Sequence, residues 1–230
     1  MTFIFTCEHG GNHIPRQYAQ LFRGHERLLQ GHRGWDQGAL QLARACARDC
    51  NAPLYFSEVS RLLIDLNRSP HHRALYSTPV RGLDAAAKQN IHDKYYLPYR
   101  QRVEAAILRS RRRPLLHLSF HSFTPELDGE IRHTDIGLLY DPARALEKEF
   151  CLLLKAALQA SFPQLRIRRN YPYRGTADGF TTYLRTRFPA RAYAGIELEI
   201  NQGLVQANRH IWRRLLREMG PVLRGLSSRG

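Results

Sequence analysis

Residues 2–11 read TFIFTCEHGG. The run Phe3, Ile4 and Phe5 is apolar, aromatic and β-branched, so residues 2–7 read as a buried strand. It ends in Glu8 and His9, and Gly10 and Gly11 supply a flexible turn. A titratable pair at the tip of a first buried strand suits an open α/β sheet, whose sites lie beyond the carboxyl ends of the strands. The rest of the chain alternates in the same way. Residues 36–50 read as a helix that begins at Asp36 and carries a small-residue face of Ala39, Ala43, Cys46 and Cys50. PLYFSEV (53–59) and RLLIDLNRS (61–69) read as strands leading into a functional loop. A helical region over 84–112 should kink or break near residue 97, ahead of Pro98. LLHLSF (115–120) and DIGLLYD (135–141) read as strands, followed by a helix at 143–160 and a strand at 164–170. A short helix at 180–187, a strand at 192–200 and a last helix at 207–226 complete the chain. This order predicts a single α/β domain over residues 1–230, with a mostly parallel open sheet and helices on both faces.

Composition narrows the class of protein. With 230 residues, 43% hydrophobic and 24% charged, the chain can build a substantial soluble core. No apolar run approaches the ~20 residues that span a bilayer, and the N-terminus lacks the basic-then-apolar pattern of a signal peptide. A cytoplasmic location is therefore expected. Cys7, Cys46, Cys50 and Cys151 have no zinc-knuckle or thioredoxin spacing and read as packing thiols. The net charge of +15 raises nucleic acid as a partner, but 31 of the 35 basic residues are arginine, mostly scattered. They cluster only at 111–113 and at Arg209, Arg213, Arg214 and Arg217. Such a field also steers a small anionic substrate, which is the partner expected here; nucleic acid and membrane are not.

The strand ends collect the chemistry. Glu8 and His9 follow the first strand, Asp65, Asn67 and Arg68 follow the third, and His121 and Ser122 follow LLHLSF. In the last strand Glu197 and Glu199 share one face, with Ile196, Leu198 and Ile200 on the other. Histidines and carboxylates on one rim suit a divalent metal, because catalytic zinc takes three His or Asp/Glu ligands and keeps one position open. His9 and His121 are the first two candidate ligands. Asp36 is the preferred third, with Glu8 and Asp65 as alternatives. Glu199 is the preferred general base and Glu197 its alternative on the same face. Each has a duller structural reading: a hydrogen-bonded core histidine, a helix N-cap at Asp36, or an ion pair between Asp65 and Arg68.

The segments HGGNHIP (9–15), SRLLIDLNRSP (60–70), HSFTP (121–125), IGLLYD (136–141), NYPYRG (170–175) and GIELEINQ (195–202), in this order, resemble the N-formylglutamate amidohydrolase family. The resemblance implies a zinc-dependent amidohydrolase with an α/β fold like that of zinc exopeptidases. It also implies one Zn2+, or another divalent metal, per chain. More distantly the chain is similar to zinc-dependent cell-wall amidases. His9 and His121 match the family's metal histidines, Glu199 its late-strand glutamate, and Asp36 an acidic position opening the first helix. Asp65 and Arg68 match its D-x-N-R segment, while Asn170 and Gly175 match a substrate-side loop. Members that act in histidine degradation carry Gln at Glu197, so this chain resembles a broader branch.

The implied substrate is a small anionic N-acyl amino acid, most simply N-formylglutamate. Arg68 is the preferred carboxylate anchor, since a guanidinium binds carboxylate through a planar fork. Arg174 comes second and Arg132 third, and Ser122 or His133 is the expected oxyanion donor. Gly10 and Gly11 are expected to turn the backbone away beneath the substrate, with His13 left as a loop residue. The alternatives are an amidase for another N-acyl amino acid, peptide or peptidoglycan fragment, and a basic nucleic-acid-binding protein.

Overall fold

The computed structural model describes residues 2–110 and 114–227. The arginines at 111–113 therefore lie outside the described residues. The strands are β1 (Thr2–Cys7), β2 (Leu54–Phe56), β3 (Leu115–Phe123), β4 (Glu126–Leu127), β5 (Glu130–Ile131), β6 (Ile136–Leu139), β7 (Ile167–Arg169) and β8 (Tyr193–Asn201). Six of them form one sheet in the order β2-β1-β3-β8-β6-β7, and β4 and β5 make a separate small hairpin. Every neighbouring pair in the sheet is parallel except β6 and β8. The mostly parallel α/β sheet read from the sequence is thus present.

Helices cover both faces. They are α1 (Glu26–Gln30), α2 (Ala39–Cys50), α3 (Thr78–Arg81), α4 (Ala85–Ile91), α5 (Leu97–Arg109), α6 (Ala145–Ser161), α7 (Phe180–Arg187), α8 (Gln202–Gln206) and α9 (Arg209–Ser227). On one face Leu116, Leu118 and Phe120 of β3 pack in a core with side chains of α2, α6 and α9. On the other, Leu115 joins Tyr99 and Val103 of α5 and Phe180 and Leu184 of α7. The alternation of β3 places His117, Ser119 and His121 on this second side. His117 is fully buried there between Thr6 Oγ1 (2.8 Å) and Tyr193 Oη (2.7 Å), and burial pushes its pKa down to about 4.

Three differences from the sequence reading matter for the site. Residues 61–69 form no strand. Leu62, Leu63, Ile64 and Leu66 are buried through a series of turns, whose peptide groups bond locally (Leu63 N to Ser60 O, Asp65 N to Leu75 O). A short apolar run has the composition of a strand, yet local partners can satisfy its backbone equally well. Second, α2 starts at Ala39, after Gly38 at φ 82°, so the Asp36 side chain does not cap it. Third, the break before Pro98 is a π-helical turn over His92–Tyr96. Proline has no N–H for the preceding turn, and the wider π turn absorbs that loss.

Candidate metal centre

The site forms where β1, β3 and β8 end on the same side as the 61–68 turns. Glu8 continues the alternation of Ile4 and Thr6, so its carboxylate lies inside the second face. There it accepts from Tyr99 Oη (2.9 Å) and Ser119 Oγ (2.5 Å). His9 sits beyond the strand, and its carbonyl accepts from Asp36 N at 2.9 Å, which brings Asp36 beside it. The parallel register pairs His121 with Glu199 and Ser119 with Glu197. His121 and Glu199 thus stand side by side on neighbouring strands.

His9, Asp36 and His121 are buried, and one ligand atom from each lies within 4.8 Å of the others. Asp36 Oδ2 is 3.3 Å from His9 Nδ1 and 2.8 Å from His121 Nδ1. The outer ring nitrogens face a second layer of acceptors. His9 Nε2 is 2.7 Å from Asp65 Oδ1, and His121 Nε2 is 2.9 Å from Ser119 Oγ and 3.3 Å from Glu8 Oε2. Imidazoles held by carboxylates on their outer nitrogens are the usual preparation of histidine for a metal. Two nitrogens and one carboxylate oxygen also suit zinc.

Charge in the site is strongly coupled. Burial works against ionisation of Asp36, Asp65 and Glu8, but His9, His121 and the Arg61 guanidinium outweigh it around them. All three carboxyls are held below the usual range. Burial likewise opposes a charged His121, and the hydrogen-bonded carboxylates of Asp36 and Glu8 raise its pKa well above the ordinary value. Glu199 behaves the opposite way. It is 5% exposed, and desolvation pushes its pKa up to about 8, with the charges of Asp36 and Glu197 adding to the shift. Its Oε2 is buried without a hydrogen-bond partner among the described residues. An orphaned buried acceptor asks for a partner absent from the chain itself. Beside three converging ligand atoms, a metal-activated water fits that demand.

The profile of the N-formylglutamate amidohydrolase family matches residues 1–206. The chain belongs to that family. A member of it is a hydrolase of amide bonds. Among solved structures, a gene product of Agrobacterium tumefaciens is 28% identical to this family member. That match covers 98% of this chain and 91% of the other, with a TM-score of 0.77. An N-formylglutamate amidohydrolase from Ralstonia eutropha is 19% identical over 99% and 94% of the two chains, with a TM-score of 0.70, which shows the shared fold. Curated protein sequences gave no match.

In this N-formylglutamate amidohydrolase family member the remaining expected site residues divide into two groups. Arg68, Asn67, Ser122, Arg174, Glu197 and Glu199 line a cavity of about 810 Å³ together with His9, Asp36 and His121. Arg68 is tethered through Nη1 to Asp178 O (2.9 Å). Asn67 Oδ1 accepts from Phe180 N, leaving its amide nitrogen 3.5 Å from His121 Nε2. Ser122 Oγ accepts from Gln202 Nε2, and Glu197 accepts from Thr181 Oγ1. Asp65 is in the cavity wall, but both its oxygens are taken by His9 and Arg61. It and Glu8 meet the outer nitrogens of His9 and His121, and neither belongs to the group of converging ligand atoms.

Asn170 and Gly175 are outside that wall. Asn170, at φ 51°, folds its own loop by accepting from Tyr140 N and Gly175 N, and a Cβ on Gly175 would lie 2.1 Å from Tyr140 N. Their place in NYPYRG is explained by this close backbone packing. His133 is exposed and Arg132 stacks over Tyr173, both off the wall, and His13 bridges to Val59. Gly10 and Gly11 also serve packing. A Cβ there would meet Ser57 O at 2.9 Å and Glu58 O at 2.7 Å, so the glycines admit the neighbouring chain rather than make room beneath a substrate.

Two arginines escaped the sequence reading. Arg61 donates to Asp65 Oδ2 (2.7 Å) and reaches Asp36 Oδ1 (3.4 Å), tying both histidine partners together. Arg100 is 5% exposed, and its guanidinium lies over Phe180 (4.3 Å), Tyr183 (4.5 Å) and Tyr96 (4.8 Å). It donates to Leu66 O (3.1 Å) and Arg68 O (3.3 Å), and Tyr96 Oη donates to the same Arg68 O. Cation–π contacts offset the burial of this charge, and its hydrogen bonds hold the turn that carries Asp65, Asn67 and Arg68. Arg100→Met is expected to fold and to lower kcat/KM by roughly 10-fold, the scale of lost outer-shell support. Circular dichroism and steady-state kinetics check it, and Tyr96→Phe should fall the same way by less.

Proposed function

We propose that this chain hydrolyses the amide of an N-acyl amino acid, an N-formyl group on an acidic amino acid being the simplest case. The observation that carries the reading is the convergence of His9, Asp36 and His121 beside the unpartnered Oε2 of Glu199 in one cavity. These three residues would hold a divalent ion such as zinc. Bound there, zinc supplies a Lewis acid for the acyl carbonyl and lowers the pKa of water from 15.7 to about 7.

The chain's own groups do the rest. Glu199 takes a proton from the attacking water and returns it to the departing amine, which requires a carboxylate able to hold a proton near neutral pH. Asp65 and Glu8 keep the histidine rings oriented through their outer nitrogens. Arg68 presents its guanidinium to a substrate carboxylate, and the amide nitrogen of Asn67 or the hydroxyl of Ser122 serves as a neutral donor for the acyl oxygen. Water adds to the acyl carbon, the C–N bond breaks, and the products are a carboxylate and a free amine.

No helix among the described residues is long and apolar enough to cross a membrane. The reading is tested by incubating zinc-loaded protein with N-formyl-L-glutamate, N-acetyl-L-glutamate and a muramoyl peptide while following primary amine. Release from the N-formyl substrate supports it. Release from the muramoyl peptide alone transfers the activity to cell-wall amides.

A further inference from the structure

We propose, granting the amidase reading above, that the preferred substrate is an N-acylated acidic peptide rather than a free N-acyl amino acid. The cavity of about 810 Å³ extends from His9 and His121 to Leu28 of α1 and to Tyr76 and Pro79 at α3. A volume of this size lies near the upper end of the ~300–1,000 Å³ that encloses drug-sized ligands. A single amino acid with a one-carbon acyl group fills only a small part of it.

The distribution of charge points the same way. Around the metal donors the arginines already have carboxylates near them: Arg61 faces Asp36 and Asp65, and Arg68 lies 4.0 Å from the carboxylates of both Asp65 and Asp178. On the wall made by α3 and the segment joining α1 to α2, Asp36 already faces His9, His121 and Arg61, and the other formal charges are Arg33 and Arg81. Both are exposed, and neither has a carboxylate partner among the described residues. Arg81 donates to Tyr76 O and Arg73 O, which fixes its head without neutralising it. Glu126 and Asp128, on the β4–β5 hairpin segment, line the same cavity, and Asp128 acts on His32 beside Arg33 without forming an ion pair to Arg33 among the described residues. The wall therefore offers two exposed guanidinium groups, without ion-pair partners among the described residues, beside the apolar surface of Leu28 and Pro79. A second residue bearing a carboxylate matches it, because a guanidinium binds carboxylate in a planar, two-point fashion. Binding energy from such a remote part of the substrate can be used at the reacting amide.

The reaction itself is unchanged. Water adds to the acyl carbon, the C–N bond breaks, and the peptide leaves as a free amine after gaining one proton. The test compares kcat/KM of the zinc-loaded protein for N-formyl-Glu, N-formyl-Glu-Ala and N-formyl-Glu-Glu. N-formyl-Glu-Glu is expected to exceed N-formyl-Glu by roughly 10-fold or more, the scale of one well-placed polar contact. The alanine dipeptide should fall between them. Arg33→Ala and Arg81→Ala change exposed side chains, and each should cut the Glu-Glu to Glu ratio several-fold. Equal or faster hydrolysis of N-formyl-Glu, or a ratio untouched by both substitutions, overturns this inference and leaves the amidase reading standing. No hydrolysis of any of the three overturns both.

Discussion

Glu199→Gln is expected to lower turnover by about 10²–10⁴-fold, the usual contribution of a positioned general base, while zinc binding stays near that of the unaltered chain. Glutamine keeps the shape of the side chain but accepts no proton. Glu199 is also not among the three residues whose ligand atoms converge. Rate and zinc affinity, measured on the same preparation, separate the two roles. The same substitution has a second signature in chelator-treated protein. Burial raises the Glu199 pKa to about 8, so between about 4.5, where the unfolded carboxyl ionises, and about 8 the folded state holds a proton that the unfolded state has released. The stability contributed by the neutral carboxyl is present in full below that window and is lost as pH rises through it. The amide of the Glu199→Gln variant does not titrate and carries no such loss. The variant should therefore gain on the unaltered chain by roughly 1.4 kcal/mol per unit of raised pKa between pH 5 and pH 8.5. Denaturant unfolding at those two pH values checks it, and a constant difference across them contradicts the assignment of a buried, protonated Glu199.

Asp36→Ala should have the largest effect on the metal. Asp36 Oδ2 is the atom shared by His9 Nδ1 and His121 Nδ1, and Arg61 reaches the other oxygen. Its removal takes away one of three ligands, so zinc affinity should fall by more than the ~10–100-fold typical of losing an outer partner. It also strips a buried imidazolium of its shorter carboxylate contact. Breaking a buried ion pair by removing one partner costs about 3–5 kcal/mol, and chelator-treated Asp36→Ala should be destabilised on that scale near neutral pH. Calorimetric zinc titration and unfolding in chelator read the two effects separately. An Asp36→Ala protein with undiminished zinc affinity would remove Asp36 from the metal centre.

The parts of the architecture legible in the sequence are those where composition and period agree. β1 is apolar nearly throughout, β3 and β8 alternate apolar with polar residues, and the residues at their ends stand at one rim because parallel strands end together. That is why His9, His121 and Glu199 could be named together from their places in the chain. The turns at 61–69 were not legible. Leu62, Leu63, Ile64 and Leu66 look like a strand, and what holds them in turns includes Arg100, distant in sequence, donating to Leu66 O. The work of Glu8 and Asp65 was hidden for a related reason. Each is defined by the outer nitrogen of a histidine far along the chain, and no local pattern records which face of an imidazole a carboxylate meets. Arg61 and Arg100 were concealed among 31 arginines. A usable signal was present for both, since Arg61 stands four residues before Asp65 and Arg100 two after the Pro98 that forces the π turn.

The central claim is that amide hydrolysis by this chain runs at the centre formed by His9, Asp36 and His121. The most direct measurement is a zinc titration of chelator-treated protein against hydrolysis of N-formyl-L-glutamate. Activity should be lost on chelation and return to a plateau at one zinc per chain, with His9→Ala failing to recover at that ratio. Hydrolysis that persists undiminished in the chelated protein, or that returns equally well in His9→Ala, would contradict it.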